Sequence, residues 1–255
     1  VDNARQLVHG AAFVLSPTAS EMDTLGERDK LRHMLLSGSR YSVLVSGPVL
    51  LGLVVFGGNL LTTWVGAKYA GAAVLITTLA IPTIVSLPQA VASSLLFGIG
   101  RHKGVVLISL ASAFTNLGLS MWWATHPALM MPLAGDGPMA KLLGVAMGTA
   151  VPQFFLSGIA TAWFACRVLE MPFGRYLWSG LVQPALVAAT FLPVALLVQH
   201  FWHPIGWLPI FGTCAAGWIV FAGAAWLWGI PQSDRPRWSR MFSGLVRPAA
   251  GEGKA

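Results

Sequence analysis

The sequence predicts an all-α fold, a polytopic bundle of about seven transmembrane helices. Of its 255 residues, 55% are hydrophobic and only 10% are charged, whereas a soluble domain carries about 25% charged residues. The charges also stand in short islands between long apolar stretches. Those stretches lack the strict apolar/polar alternation of a β-barrel. Because backbone polar groups cannot stay unpaired in lipid, they must form helices.

The apolar stretches place the spans, since a helix needs about 20 apolar residues to cross a bilayer core. The chain has no Asp, Glu, Lys or Arg at positions 41–67, 69–100, 104–135 and 142–166. The uncharged stretch 176–233 is long enough for two spans, divided by a polar turn near 199–206. The expected spans are approximately 1–16, 41–63, 70–97, 104–124, 139–166, 176–199 and 205–229.

Two segments outside the spans carry most of the remaining charge. In 20–40, Leu31, Met34 and Leu35 recur at helical spacing among basic residues. This predicts a short amphipathic helix on the inner leaflet or a loop that merely links two spans. The tail 231–255, with its Pro, Gly and Arg residues, is expected to be disordered and cytoplasmic, held against anionic lipid headgroups.

The Lys and Arg residues predict the orientation. If the loops alternate in side, thirteen Lys and Arg fall on the side of 17–40, 98–103, 167–175 and the tail, and only Lys68 and Lys141 fall on the other. Basic loops stay in the cytoplasm, so the C-terminus should be cytoplasmic. The net charge of +7 therefore indicates membrane lipids, not nucleic acid, as the partner. A first residue on the outside without a signal sequence or initiating Met suggests missing upstream helices.

Five polar residues within the spans are candidate substrate-binding residues, because such residues are costly in lipid and tend to face a cavity or a partner. Arg5 could bind phosphate or snorkel to the interface, and His9, on the same face, could line a cavity or pack. Gln89 and Gln153 each follow a proline, whose kink is common in carriers. Asn116 could face a cavity or bond a neighbouring helix. The sequence contains no Walker A, HExxH, GxSxG or CxxC motif, so no cofactor or catalytic site is expected.

Several stretches resemble one family of transporters. They are Phe13-Val14-Leu15-Ser16-Pro17-Thr18-Ala19-Ser20-Glu21, Gly26-Glu27-Arg28-Asp29-Lys30-Leu31, Leu60-Leu61-x-x-Trp64-Val65-Gly66 and Leu96-Phe97-Gly98-Ile99-Gly100-Arg101-His102. Over roughly residues 5–200 the chain resembles the C-terminal half of polysaccharide and lipid-linked oligosaccharide flippases. These belong to the multidrug/oligosaccharidyl-lipid/polysaccharide exporter superfamily.

The resemblance implies a fold of two helix bundles facing each other across a central cavity, with this chain supplying the C-terminal bundle and the N-terminal bundle missing. It implies a transporter, not an enzyme, in the bacterial cytoplasmic (inner) membrane. The substrate would be an undecaprenyl-pyrophosphate-linked oligosaccharide, moved from the inner to the outer leaflet. Arg5 matches a cavity position that holds the pyrophosphate in the family.

Three other classes of protein remain open: a non-transporting membrane scaffold, an enzyme of polysaccharide assembly, and a drug exporter. A membrane ligase or polymerase of polysaccharide assembly usually needs a large polar outer loop, and here the loop 125–138 offers only His126 and Asp136 as candidate catalytic groups. A drug exporter of the same superfamily, which binds cations, would want an acidic residue inside a span. Apart from Asp2 at the edge of the first span, the sequence has none.

The charge distribution generates a test of orientation. A reporter fused to the C-terminus should read as cytoplasmic, because the basic loops resist translocation. Activity of paired alkaline phosphatase and green fluorescent protein fusions measures this. Phosphatase activity at the C-terminus would reverse every loop assignment.

Overall fold

A computed structural model describes residues 15–134, 137–202, 205–231 and 234–235. These residues are α-helical with short 3₁₀ and π segments, and no strand occurs among them. Six helices or kinked helix pairs are long and apolar enough to cross a membrane: Arg28–Trp64, Ala67–Ser86, His102–Thr125, Pro138–Val168, Phe173–Trp202 and Trp207–Gly229. The predicted all-α fold is confirmed, and the chain is a multi-pass membrane protein.

The elements follow one another with short connections. The α-helices are α1 (Leu15–Thr24), α2 (Arg28–Trp64), α3 (Ala73–Ser86), α4 (Gln89–Gly98), α5 (His102–Thr125), α6 (Met131–Ala134), α7 (Pro138–Pro152), α8 (Thr161–Val168), α9 (Phe173–Tyr176), α10 (Gln183–Ala188), α11 (Phe191–Trp202) and α12 (Trp207–Ala224). The 3₁₀ turns are Ala67–Ala72 and Pro127–Leu129, and the π-helical segments are Gln153–Ala160, Leu177–Val182 and Ala225–Gly229.

These elements fall where six of the seven expected spans were placed. The span expected over 1–16 lies outside the described residues except for its last two positions, which begin α1. The span expected over 70–97 is interrupted, because α3 ends at Ser86 and α4 begins at Gln89. Of the tail expected over 231–255, the structure describes only Pro231, Asp234 and Arg235.

The segment 20–40 differs from the expected surface helix. It forms the end of α1, a turn and the beginning of α2. Leu31 and Leu35 are 1% and 0% exposed and pack in one cluster with Leu95 and Ala165. The ends of α4 and α8 reach the same level as these residues. The apolar stripe therefore meets protein and not a lipid surface.

The basic end of the bundle is tied together by arginines. Arg28 pairs with Glu170 in the connection after α8. The Nε of Arg32 donates to the Leu169 carbonyl at 2.8 Å. The last carbonyls of a helix lack partners within it, so Arg32 caps α8. These contacts bring the loops 25–27 and 169–172 to the same end, as the alternation of sides requires.

Different contacts hold the opposite end. The Gly206 amide donates to the Thr63 hydroxyl at 2.9 Å, and Gln199 Nε2 donates to Asn59 Oδ1 at 2.9 Å. The connection 65–72 and Gly206 therefore share this end, away from Arg28 and Arg32.

Helix α2 is the central element of the bundle. It has 37 residues, which at 1.5 Å per residue is about 55 Å, well beyond a bilayer core. It packs against α3, α4, α10, α11 and α12. Glycines allow these close contacts: a Cβ at Gly47 would lie 2.6 Å from Ala188 Cβ, and one at Gly38 would lie 2.7 Å from Val91. In a membrane the hydrophobic effect does not drive helices together, so their association depends on close packing, which small residues allow.

Helices α5 and α7 lie against each other through a G-x-x-x-G pair. A Cβ at Gly148 would lie 2.6 Å from Ser120 Cα, and one at Gly144 would lie 3.0 Å from Trp123 Cβ. Backbone thus contacts backbone along this pair, which walls one side of the site described below.

Gly148→Ala should destabilise the protein. The new methyl group would meet the backbone of Ser120, and such overpacking costs about 1–3 kcal/mol. The melting temperature of the detergent-solubilised protein measures the effect. Gly118→Ala on α5 is the matched control, because nothing lies within 4 Å of its Cβ position. Equal melting temperatures of the two variants would contradict the close contact.

Candidate functional site

A polar cavity of about 300 Å³ lies among α3–α4, α5 and the kinked span α7–α8. None of its fourteen lining residues is charged. Ten of them carry a hydroxyl or a primary amide: Ser86, Gln89, Ser93, Ser109, Ser112, Asn116, Thr149, Gln153, Ser157 and Thr161. The cavity reaches the surface of the bundle at Ser109, which is exposed. Polar groups at membrane depth are expensive and usually serve a function, so this cavity is the candidate functional site.

Helix α5 contributes one face to the cavity. Val105, Ser109, Ser112 and Asn116 all line it, and their spacing of three and four residues stacks them on one side of an α-helix. The polar residues of α5 therefore point inward. Large apolar residues such as Phe114, 72% exposed, cover its other side.

The opposite wall comes from four residues spaced four apart, Thr149, Gln153, Ser157 and Thr161. In a regular α-helix each step of four residues rotates about 40° past a full turn, so the row would leave the cavity. Here the chain is π-helical from Gln153 to Ala160. The wider π turn rotates the row the other way and keeps it on one face. Wide turns of this kind are frequent at functional sites.

The third wall stands at the interruption between α3 and α4. Pro88 precedes α4, and a proline inside a span removes one backbone donor and bends the chain. Ser86, Gln89 and Ser93 lie on the cavity side of this bend. The break thus places the amide of Gln89 at the same cavity as residues of α5 and α7.

Hydrogen bonds cross the cavity floor between helices. Gln153 Nε2 donates to Thr83 Oγ1 at 3.0 Å and to Ser86 Oγ at 2.9 Å. Ser112 and Ser157 are bonded at 3.2 Å. Three separate spans are therefore joined by uncharged polar contacts at this depth.

A buried chain of hydrogen bonds supports Gln89 from behind. The Tyr176 hydroxyl donates to Gln89 Oε1 at 3.1 Å and lies 2.9 Å from Ser39 Oγ. Tyr176 is 0% exposed and Gln89 2% exposed. The chain links the cavity to the central helix α2 and to α9, neither of which lines it.

Three of the five residues singled out in the sequence, Gln89, Asn116 and Gln153, thus meet at one cavity. Arg5 and His9 lie outside the described residues. Sequence reasoning missed the seven hydroxyl residues of the lining. The repeated spacing of four between Thr149 and Thr161 was the signal that could have found part of this set.

A second cavity, of about 400 Å³, lies between α2, α11 and α12. Its lining is apolar, with Phe56, Phe191, Phe211 and Trp218 among its residues. Its side chains offer no hydrogen-bonding or titratable group apart from the thiol of Cys214 and the indole N–H of Trp218. The chemistry of recognition therefore belongs to the polar cavity.

A cysteine at Asn116 should react with a water-soluble maleimide, because a polar cavity of this size holds water and thiol reactivity requires the thiolate. A cysteine at Phe114, which faces outward on the same helix, should not react. Both variants are made in a background with Cys166 and Cys214 replaced by Ala, and mass spectrometry measures the labelling. No reaction at either position would mean that the cavity is dry, and equal reaction at both would mean that water does not distinguish the cavity from the outer face.

No protein-family model, curated protein or solved structure matches the chain. The function is therefore inferred from the cavity and the sequence.

Proposed function

We propose that the chain forms one bundle of a membrane carrier that flips an undecaprenyl-pyrophosphate-linked oligosaccharide from the inner to the outer leaflet of the bacterial cytoplasmic membrane. Its C-terminus lies in the cytoplasm, on the side of the basic loops. The observation that carries the proposal is the meeting of Gln89, Asn116 and Gln153 at one uncharged polar cavity. A glycan headgroup presents many hydroxyls and few charges, and this lining suits it.

The open side of the cavity fits a two-bundle carrier. In the most apolar 18 residues of α5, only 6% of the positions are buried by the rest of the protein. Ser109 on this helix is also exposed. A second bundle, which the sequence resemblance implies, would close the cavity across this side. The isoprenoid tail of the substrate would stay in the bilayer while the headgroup crosses.

The pyrophosphate needs a positive partner that the cavity lining lacks. Arg5 is the candidate from the sequence resemblance. A guanidinium holds a phosphate through two parallel charge-assisted hydrogen bonds. In this division of roles, Arg5 holds the charged linkage and the amides hold the sugar.

Alternating access requires helices that bend beside the substrate. Two interruptions adjoin the cavity, the break at Leu87 and Pro88 between α3 and α4 and the π segment Gln153–Ala160. Both are the kind of defect at which long helices kink. A substrate in the cavity would therefore contact the helices at the two interruptions where they can bend.

The alternative functions fit the lining less well. General acid–base and nucleophilic catalysis need a titratable group or an activated nucleophile. The lining residues include no His, Cys, Lys, Arg, Asp or Glu. The same lack of a carboxylate disfavours export of a cationic drug from this cavity.

Ser112→Leu in the complete protein should abolish export. The larger side chain would fill the cavity where Ser112 and Ser157 meet. Surface polysaccharide in cells that depend on the variant measures export, and immunoblotting of membranes measures insertion. Ala113→Leu is the matched control, because the same residue is introduced one position away, at an exposed site that does not line the cavity.

Normal export by Ser112→Leu would rule out the cavity as the substrate path. Equal loss in both variants, with normal insertion, would mean that helix α5 matters through packing and not through the cavity.

A further inference from the structure

The two glutamine amides of the cavity are held in opposite senses. A primary amide presents two N–H donors on one side and an acceptor oxygen on the other. Which side faces the ligand decides the chemistry that the site accepts. At both glutamines the neighbouring groups determine the orientation.

Thr83 determines the orientation of Gln153. The Thr83 hydroxyl donates its single hydrogen to the Leu79 carbonyl at 2.7 Å, so toward Gln153 it can only accept. The atom 3.0 Å away must therefore be Nε2. The second N–H of the amide goes to Ser86 at 2.9 Å. Both donors are used, and Oε1 has no hydrogen bond among the described residues although Gln153 is only 8% exposed.

A carbonyl determines the orientation of Gln89. The Val85 oxygen, 3.3 Å from Gln89, cannot donate, so Nε2 faces it. Oε1 then faces Tyr176, whose hydroxyl donates to it. Since Tyr176 uses its hydrogen there, Ser39 is the donor in the bond between the two hydroxyls. Gln89 keeps one N–H without a hydrogen bond in the described part of the chain.

We infer that the cavity binds hydroxyls of an uncharged sugar, with Gln89 donating and Gln153 accepting, and that Thr83 and Tyr176 are positioning residues that hold the two amides in these senses. This inference rests on the proposed function, because it treats the cavity as the substrate site. Hydroxyls suit the pair because each one both donates and accepts. The serine and threonine hydroxyls of the lining can rotate to complete the contacts.

The same arrangement rejects charged groups. A phosphate has only acceptors at full ionisation and would face the bare oxygen of Gln153. An ammonium has only donors and would face the N–H of Gln89. A buried polar group left without a partner is costly, which is how sites built on hydrogen bonds reach high selectivity. The cavity thus selects the sugar and leaves the pyrophosphate to another group.

The test measures binding to the purified full chain in detergent by saturation-transfer NMR, with methyl glucoside as probe and inorganic pyrophosphate as competitor. Methyl glucoside should bind and pyrophosphate should not displace it. Gln153→Met should weaken methyl glucoside binding about ten-fold, the effect of one lost buried hydrogen bond. No saturation transfer to methyl glucoside, displacement by pyrophosphate, or unchanged binding to Gln153→Met would overturn the inference.

Thr83→Val tests the positioning role. Without the threonine oxygen the amide of Gln153 can turn and offer its N–H groups, so pyrophosphate should now compete with methyl glucoside. A merely structural role would weaken binding without this change of selectivity, and that result would overturn the assignment. Thr78→Val is the matched control, since Thr78 makes the same bond to the carbonyl four residues earlier on α3, whereas Thr83 also accepts the hydrogen bond from Gln153.

The proposed function can fail separately. Sugar binding with these selectivities in a complete protein that does not move lipid-linked oligosaccharide would keep the inference and remove the flippase. If substitution of Gln153 and Thr83 leaves export unchanged, the flippase function stands and the inference about the amides is removed.

Discussion

A polar group in hydrocarbon must find its partner within the protein, and this constraint governs both the packing and the site. Hydroxyls in the tightly packed regions meet it locally. Ser42, Ser46 and Thr213 each donate to the carbonyl four residues earlier, at 2.6 to 2.8 Å. Two of the cavity amides meet it only in part, because Gln153 keeps its oxygen and Gln89 keeps one N–H without a hydrogen bond among the described residues. The candidate site is therefore the place where a ligand could supply the missing hydrogen-bond partners.

The same constraint explains the arginines of the basic end. The widened π turns expose carbonyls that a regular ladder would use, and side chains reach them. Arg40 Nε donates to Ser179 in the segment Leu177–Val182 at 3.1 Å, and Arg235 Nη2 donates to Leu227 in Ala225–Gly229 at 2.8 Å. These residues thus serve packing as well as orientation. A neutral replacement would expose a carbonyl in addition to removing a charge.

Hydropathy alone predicts the spans, because an apolar stretch of sufficient length has only one stable form in lipid. It does not predict what an apolar stripe will face. Leu31 and Leu35 have the spacing of a surface helix, yet they are buried by α4 and α8, and only the tertiary arrangement decides between the two. The amides Gln89, Asn116 and Gln153 were predictable because an amide within a span is costly wherever it lies. Serine and threonine hydroxyls can donate to a carbonyl of their own helix, so a sequence alone does not show which of them line a cavity. The π segment after Pro152, which aligns Ser157 with Gln153, could not be predicted either, because arguments from periodicity assume a regular α-helix.

The central claim is that a glycolipid headgroup occupies the polar cavity. Photocrosslinking in living cells tests it most directly, with a benzophenone amino acid at Ser109, at the open side of the cavity, and, as the control, at Phe114 on the outer face of the same helix. Mass spectrometry of the purified protein identifies the adduct. The account predicts a glycosylated isoprenoid adduct at Ser109 and only phospholipid at Phe114. The same phospholipid adducts at both positions, with no glycan, would contradict it.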